Sequence, residues 1–110
     1  MFRMLNFFDL ADGEDIGSFE ESLTSFSQHL IDVTLLHSQG AVSRRYSNTR
    51  MDTDDERKQR WFFVSTFNDK LQCEKAYEYV AKGEEPGASL HKAVVSKMHN
   101  GIFSCWEDPD

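Results

Sequence analysis

The segment Trp61-Phe62-Phe63-Val64-Ser65-Thr66-Phe67 restricts the possible folds of this 110-residue chain more than any other stretch. Successive side chains of a strand point to opposite sides of a sheet, so a strand with one wet face alternates apolar and polar residues. Here Trp61, Phe63, Ser65 and Phe67 fall on one side, and Phe62, Val64 and Thr66 on the other. Both sides require cover, which predicts a central strand buried twice. In a chain this short the protein's own helices can cover one face, leaving the other for a second copy.

The remaining elements are read around that strand. Phe2 to Leu10 reads as a first strand, with Phe2, Met4, Asn6, Phe8 and Leu10 in one row and Arg3, Leu5, Phe7 and Asp9 in the other. Asp15 is placed to cap a helix, with Ser18 and Glu21 as an alternative capping box. Ile16, Phe19, Leu23, Phe26, Leu30, Val33 and His37 repeat at spacings of three and four, which predicts a helix to about Ser38 stopped by Gly40. Ala41 to Thr49 reads as a polar edge strand, followed by a charged connection over 50–60. Asn68 or Asp69 caps a second helix closed by Gly83, with Leu71, Cys73, Ala76, Tyr77, Val80 and Ala81 facing inward. Pro86 opens a further helix ended by Asn100-Gly101, and Ile102 to Glu107 forms the last strand.

The order is strand, helix, strand, strand, helix, strand, in one domain spanning 1–110. Two right-handed crossovers stack the helices on one face of a four-stranded antiparallel sheet, an α+β, ferredoxin-like βαββαβ arrangement. The uncovered face would then carry large apolar groups. Burying about three of them per subunit, at roughly 1.5–3 kcal/mol each, predicts a symmetric homodimer through the open sheet face.

Charge and composition exclude several function classes. Twelve basic residues against 19 acidic ones leave a formal charge of −7, a poor balance for gripping a phosphate backbone, so no nucleic acid partner is expected. The densest basic stretch, Arg57-Lys58-Gln59-Arg60, directly follows Asp52, Asp54, Asp55 and Glu56. No apolar run approaches the roughly 20 residues that cross a bilayer, and the N-terminal stretch lacks signal-peptide features, so the expected location is cytoplasmic. Cys73 and Cys105 form neither a disulfide framework nor a zinc-ribbon pair. His29 and His37, like His91 and His99, are eight residues apart, about 12 Å along a helix and too far for joint ligation. Asp52, Asp54 and Glu56 lack the glycine and later glutamate of a calcium loop. No metal or cofactor is expected.

In element order, element lengths, the doubly apolar third strand and the interrupted second helical region, nearly the whole chain resembles the dimeric α/β-barrel superfamily. In that superfamily two ferredoxin-like subunits pack sheet against sheet. It includes antibiotic-biosynthesis-type cofactor-independent monooxygenases, haem-degrading monooxygenases, muconolactone isomerase-like enzymes and stress-responsive α/β-barrel proteins without known activity. The resemblance implies a ligand cleft between the sheet and the helices of each subunit. It also implies an asparagine on the first strand that hydrogen-bonds an oxygen of the substrate or of bound dioxygen, a place that Asn6 occupies. The haem-degrading members carry a tryptophan and a histidine on the second helical region. Here that tryptophan is absent, Tyr77 or Tyr79 is the nearest aromatic residue, and His91 follows on the next helix.

Three residues emerge as catalytic candidates: Asn6, His91 and Tyr79. Asn6 interrupts an apolar row, and a buried amide without partners costs roughly 1–3 kcal/mol, so it is either satisfied by nearby backbone or used. His91 can move a proton near neutral pH, and Tyr79 is an alternative proton carrier. The expected ligand is a small apolar or aromatic molecule. The chain is then a monooxygenase or isomerase acting on it, or a non-catalytic, stress-responsive or ligand-binding homodimer.

Overall fold

A computed structural model describes residues 1–109. The order of elements is β1 (Phe2–Leu10), α1 (Ile16–Asp32), β2 (Ser38–Gln39), β3 (Ser43–Arg44), β4 (Trp61–Phe67), α2 (Lys70–Ala81), α3 (Gly87–Val95) and β5 (Met98–Glu107). All strand pairs are antiparallel, in the order β2-β4-β1-β5, with β3 also paired to β4. This is the expected ferredoxin-like sheet. Its bounds for the first strand and for Trp61–Phe67 are those read from the sequence. No helix among the described residues is long and apolar enough to cross a membrane.

The short strands β2 and β3 are two pieces of one edge strand. Ser38 and Gln39 pair with Thr66 and Ser65, whereas Ser43 and Arg44 pair with Phe62 and Trp61. Four steps on the edge strand thus match three on β4, the extra residue of a β-bulge. This corrects the edge strand expected over 41–49, because α1 ends much earlier than its apolar stripe suggested. Thr34, with φ of 62°, takes the left-handed conformation that terminates the helix. The Leu35 amide then bonds back to the Leu30 carbonyl at 2.8 Å. Gly40 does not stop a helix; it lies against β4, its amide 2.9 Å from the Val64 carbonyl.

Capping follows the sequence reading. The Asp15 carboxylate accepts from the Ser18 amide at 2.9 Å, and Asp69 accepts from the Gln72 amide at 2.8 Å. Asn100-Gly101 differs: it does not end α3, which stops at Val95, but lies inside β5. Phe7 faces Ile102 while Asp9 faces His99, so a bulge occurs there, with Asn100 at φ of 53°.

Register separates the two faces of the sheet. Met4, Asn6, Phe8, Phe63, Ser65, Phe67, Phe103 and Cys105 share the helix side; Leu5, Phe7, Phe62, Val64, Ile102 and Trp106 share the other. Two apolar clusters form under the helices. Phe8, Phe19, Leu23, Phe63 and Val94 make the first, with the Phe8 and Phe19 ring centroids 4.4 Å apart. Leu30, Leu36, Phe67 and Ala76 make the second. The helices do not cover β5, where Phe103 is 55% exposed although it is on the helix side. Leu71 and Tyr77, expected to face inward from α2, are exposed, and Tyr77 borders the same opening as Phe103.

Candidate functional site

A cleft of about 370 Å³ opens where the two clusters meet. Its size is within the range of small-molecule sites. Most of its lining is apolar, from Met4, Leu23, Phe26, Phe63, Val94 and Met98 among others, and Tyr77, Val95, Phe103 and Cys105 are exposed members of the lining. No Asp, Glu, Lys or Arg contributes to it. A ligand suited to this cleft is therefore uncharged and largely apolar.

The sequence candidates Asn6 and His91 both line this cleft. Asn6 is 2% exposed in the middle of β1. Its Nδ2 donates to the Met4 carbonyl at 3.2 Å and, more weakly, to the Phe63 carbonyl at 3.5 Å. Both partners are acceptors, which sets the amide orientation and leaves Oδ1 as its second polar atom. Asn6 Oδ1 accepts no hydrogen bond from the described residues. The amide is thus partly satisfied by backbone. What it can offer a ligand is an acceptor, suited to a hydroxyl or N–H.

His91, on α3, packs at 5.4 Å between centroids against the Phe26 ring of α1. Burial lowers its pKa from the ordinary 6.5, because a charged imidazolium is poorly solvated there. At neutral pH it is an uncharged imidazole that can accept a proton. Tyr79 lies outside the cleft lining. Its hydroxyl is 2.7 Å from His29 Nε2, a bond that joins α2 to α1.

Two polar residues that the sequence reading left out of the site, Ser65 and Gln39, line one wall, backed by Ser27, which lies outside the lining. Ser65 Oγ donates to Gln39 Oε1 at 3.0 Å, and Gln39 Nε2 donates to Ser27 Oγ at 3.1 Å. Ser65 was visible in the sequence as the polar member of an aromatic row. Gln39 was hidden by the overlong helix, and Ser27 by its small size. Cys73 and Cys105 also line the cleft. The Cys73 thiol is pushed up in pKa, mainly by burial and then by the neighbouring Cys105 and Glu74, so it is held as the thiol rather than the nucleophilic thiolate. Among the described residues, no group of three or more His, Cys, Asp or Glu is placed to hold a metal ion.

No protein-family model and no curated protein matches the chain. Solved structures do. A protein of Arabidopsis thaliana is similar over 100% of this chain and 97% of its own, at 12% identity and a TM-score of 0.71. A dimeric ferredoxin-like protein of unknown function from Jannaschia sp. CCS1 is similar over 97% and 98%, at 12% identity and a TM-score of 0.63. A dabb family protein with a ferredoxin-like fold from Mesorhizobium loti is similar over 99% and 97%, at 11% identity and a TM-score of 0.57. At such identities the likeness is one of fold: the chain has the ferredoxin-like fold of these proteins.

Proposed function

We propose that the protein is a homodimer that binds a small, uncharged, mostly apolar or aromatic molecule in the cleft beside Asn6, and acts on it as a cofactor-independent monooxygenase or isomerase. One observation carries this reading: Asn6 and His91, from elements far apart in the chain, line a single cleft without charged side chains. Asn6 Oδ1 would accept from a ligand hydroxyl, and neutral His91 would take a proton from the ligand. The dimeric state of the Jannaschia neighbour supports assembly of two copies, as does the apolar open sheet face. A cytoplasmic location fits the same reading.

The test is a binding and turnover experiment with small quinols and naphthols. Saturable quenching of protein fluorescence, together with oxygen uptake or ligand isomerisation, supports the enzyme. Loss of turnover with retained binding in His91→Gln, and loss of binding in Asn6→Leu, would assign the two roles. Unchanged turnover in the Asn6→Ala, His91→Ala double variant removes them.

The second reading is a ligand-binding homodimer without catalysis. The observation in its favour is the placement of Tyr79, tied to His29 outside the cleft, which takes the expected alternative proton carrier away from the site. Binding without turnover across the same panel would select it.

A further inference from the structure

A second cleft, of about 660 Å³, lies between the edge strand and the connection that leads into β4. Its lining has the opposite chemistry to the first. Arg44, Arg45, Arg57, Lys58 and Arg60 border it, against only Asp9 and Asp54. With Asp52, which is bound to Arg45, counted among the carboxylates, that is a local excess of two positive charges in a chain whose formal charge is −7. The sequence suggested local cancellation here. The fold undoes it, because Asp55 and Glu56 do not line the cleft.

The cations fall into two groups. Arg45 is fixed: it makes two bonds to the Asp52 carboxylate, at 3.0 and 2.7 Å, and lies 5.9 Å over the Phe7 ring. Arg57 is held by Asp54 at 2.6 Å. These pairs frame the cleft. Arg44 and Arg60 form no salt bridge with the described residues, and Asp9 uses an oxygen to accept from the Arg60 backbone amide at 2.9 Å. Arg44 and Arg60 thus border the cleft without an ion-pair partner among the described residues, and the Lys58 ammonium, which donates to the Asp55 carbonyl, borders it with them.

Gln59 borders the same cleft and is only 8% exposed. Its Nε2 donates to the Asn100 carbonyl at 2.8 Å, while its Oε1 is buried and meets no donor. Buried polar atoms are ordinarily paired, and an amide oxygen can be satisfied only by an N–H or O–H. An anion without an O–H, such as sulfate, would suit the arginines and leave this atom unpaired.

We infer that this cleft binds a small phosphorylated, hydroxyl-bearing molecule, of the sugar-phosphate or nucleotide class. A phosphate monoester carries about −1.5 to −2 charge at neutral pH and three acceptor oxygens, which suits several forked donors better than a single carboxylate does. The phosphate is assigned to Arg44, Arg60 and Lys58, and a ligand hydroxyl to Gln59 Oε1. The volume leaves room for a body larger than phosphate, and the exposed ring of Tyr46 borders it.

Isothermal titration with ribose 5-phosphate, inorganic phosphate and ribose, together with amide chemical-shift mapping, tests the assignment. Ribose 5-phosphate is expected to saturate with shifts centred on Arg44, Gln59 and Arg60, and to bind more tightly than phosphate or ribose. Its affinity should fall at least about tenfold in the Arg44→Glu, Arg60→Glu variant, and decline as salt rises from about 50 to about 300 mM. Gln59→Leu should weaken ribose 5-phosphate by about threefold to tenfold. No saturation by ribose 5-phosphate overturns the inference. So does affinity unchanged by the charge reversals, or affinity for ribose 5-phosphate no greater than for phosphate.

Discussion

His29 Nε2 and Tyr79 Oη, 2.7 Å apart, join α1 to α2 beside the apolar cleft rather than inside it. The same tyrosine ring lies against Gly87 at the start of α3: a Cβ at position 87 would sit 2.6 Å from its Cε2. Tyr79 thus contacts elements on both sides of it, and Gly87 leaves the space its ring occupies. Gly87→Ala should destabilise the protein by about 1–3 kcal/mol through overpacking. Combining it with Tyr79→Ala, which removes the ring, should cost less than the sum of the two single changes, as contacting residues do. Urea unfolding of the three variants measures this. Additivity would mean that the ring and the glycine are not in contact.

Thr34 is a β-branched residue with φ of 62°, at the end of α1. A left-handed conformation costs an L-residue roughly 1–2 kcal/mol, and glycine's greater freedom in the unfolded chain offsets about 0.4–1 of that. Thr34→Gly should therefore stabilise the protein by about 0.5–1 kcal/mol, against the usual direction for glycine. The side chain is exposed and bonds only to the adjacent Val33 carbonyl, so little else is lost. A midpoint of urea unfolding that does not rise would count against the strain.

These two sites show where the chain was legible. Phe2–Leu10 and Trp61–Phe67 were readable because period-2 rows of large residues have one structural meaning. The helix caps Asp15 and Asp69 were readable because their chemistry is local. The end of α1 was not, since the apolar spacing continues through Val33 to His37 while the backbone turns at Thr34. That single misreading displaced the edge strand and hid Gln39 from the site. Asn6 was identifiable as the polar residue in an apolar row. Whether it shared a cleft with His91 depended on tertiary packing, which no local pattern encodes. The basic cleft was hidden for a different reason: linear proximity cancels Arg57 to Arg60 against Asp52 to Glu56, whereas the folded loop sorts them.

Two groups predict opposite ends of the acid response. Burial lowers the pKa of His91 below 6.5, so the unfolded chain takes up a proton that the folded one resists. Stability should fall as pH drops below about 6.5 toward the folded value, and His91→Gln should flatten this part of the curve. Ligand affinity in the apolar cleft should weaken over the same range, because no carboxylate lines it to offset the imidazolium. Asp54 behaves differently. The Arg57 side chain and the Arg57 and Glu56 amides hold its carboxyl down to about 2. Its contribution is present above the ordinary 3.8 and is lost as pH falls from there through about 2. Unfolding curves across the two ranges, for wild type and His91→Gln, separate the contributions.

The open face of the sheet supplies the last prediction. Leu5 pairs with Val64 across β1 and β4, and with Ser104 on β5, at the middle of a face that also carries Phe7, Phe62, Ile102 and Trp106. Ile102 and Trp106 are 37% and 41% exposed. Arg45 covers one end, over Phe7, while Arg3 binds Asp108 and Thr66 at the other, so the uncovered apolar surface is centred on Leu5 and Val64. Each large side chain buried there by a second copy would contribute about 1.5–3 kcal/mol, enough together for a stable dimer at micromolar concentration. Light scattering should then give twice the 12.7 kDa chain mass. Val64→Glu would bury a carboxylate in an apolar interface, and should weaken the dimer by at least about a hundredfold. Its circular dichroism should stay unchanged, since the residue faces away from the helices. A wild-type monomer, or a Val64→Glu dimer of undiminished affinity, would mean that this face is covered by something other than a second copy.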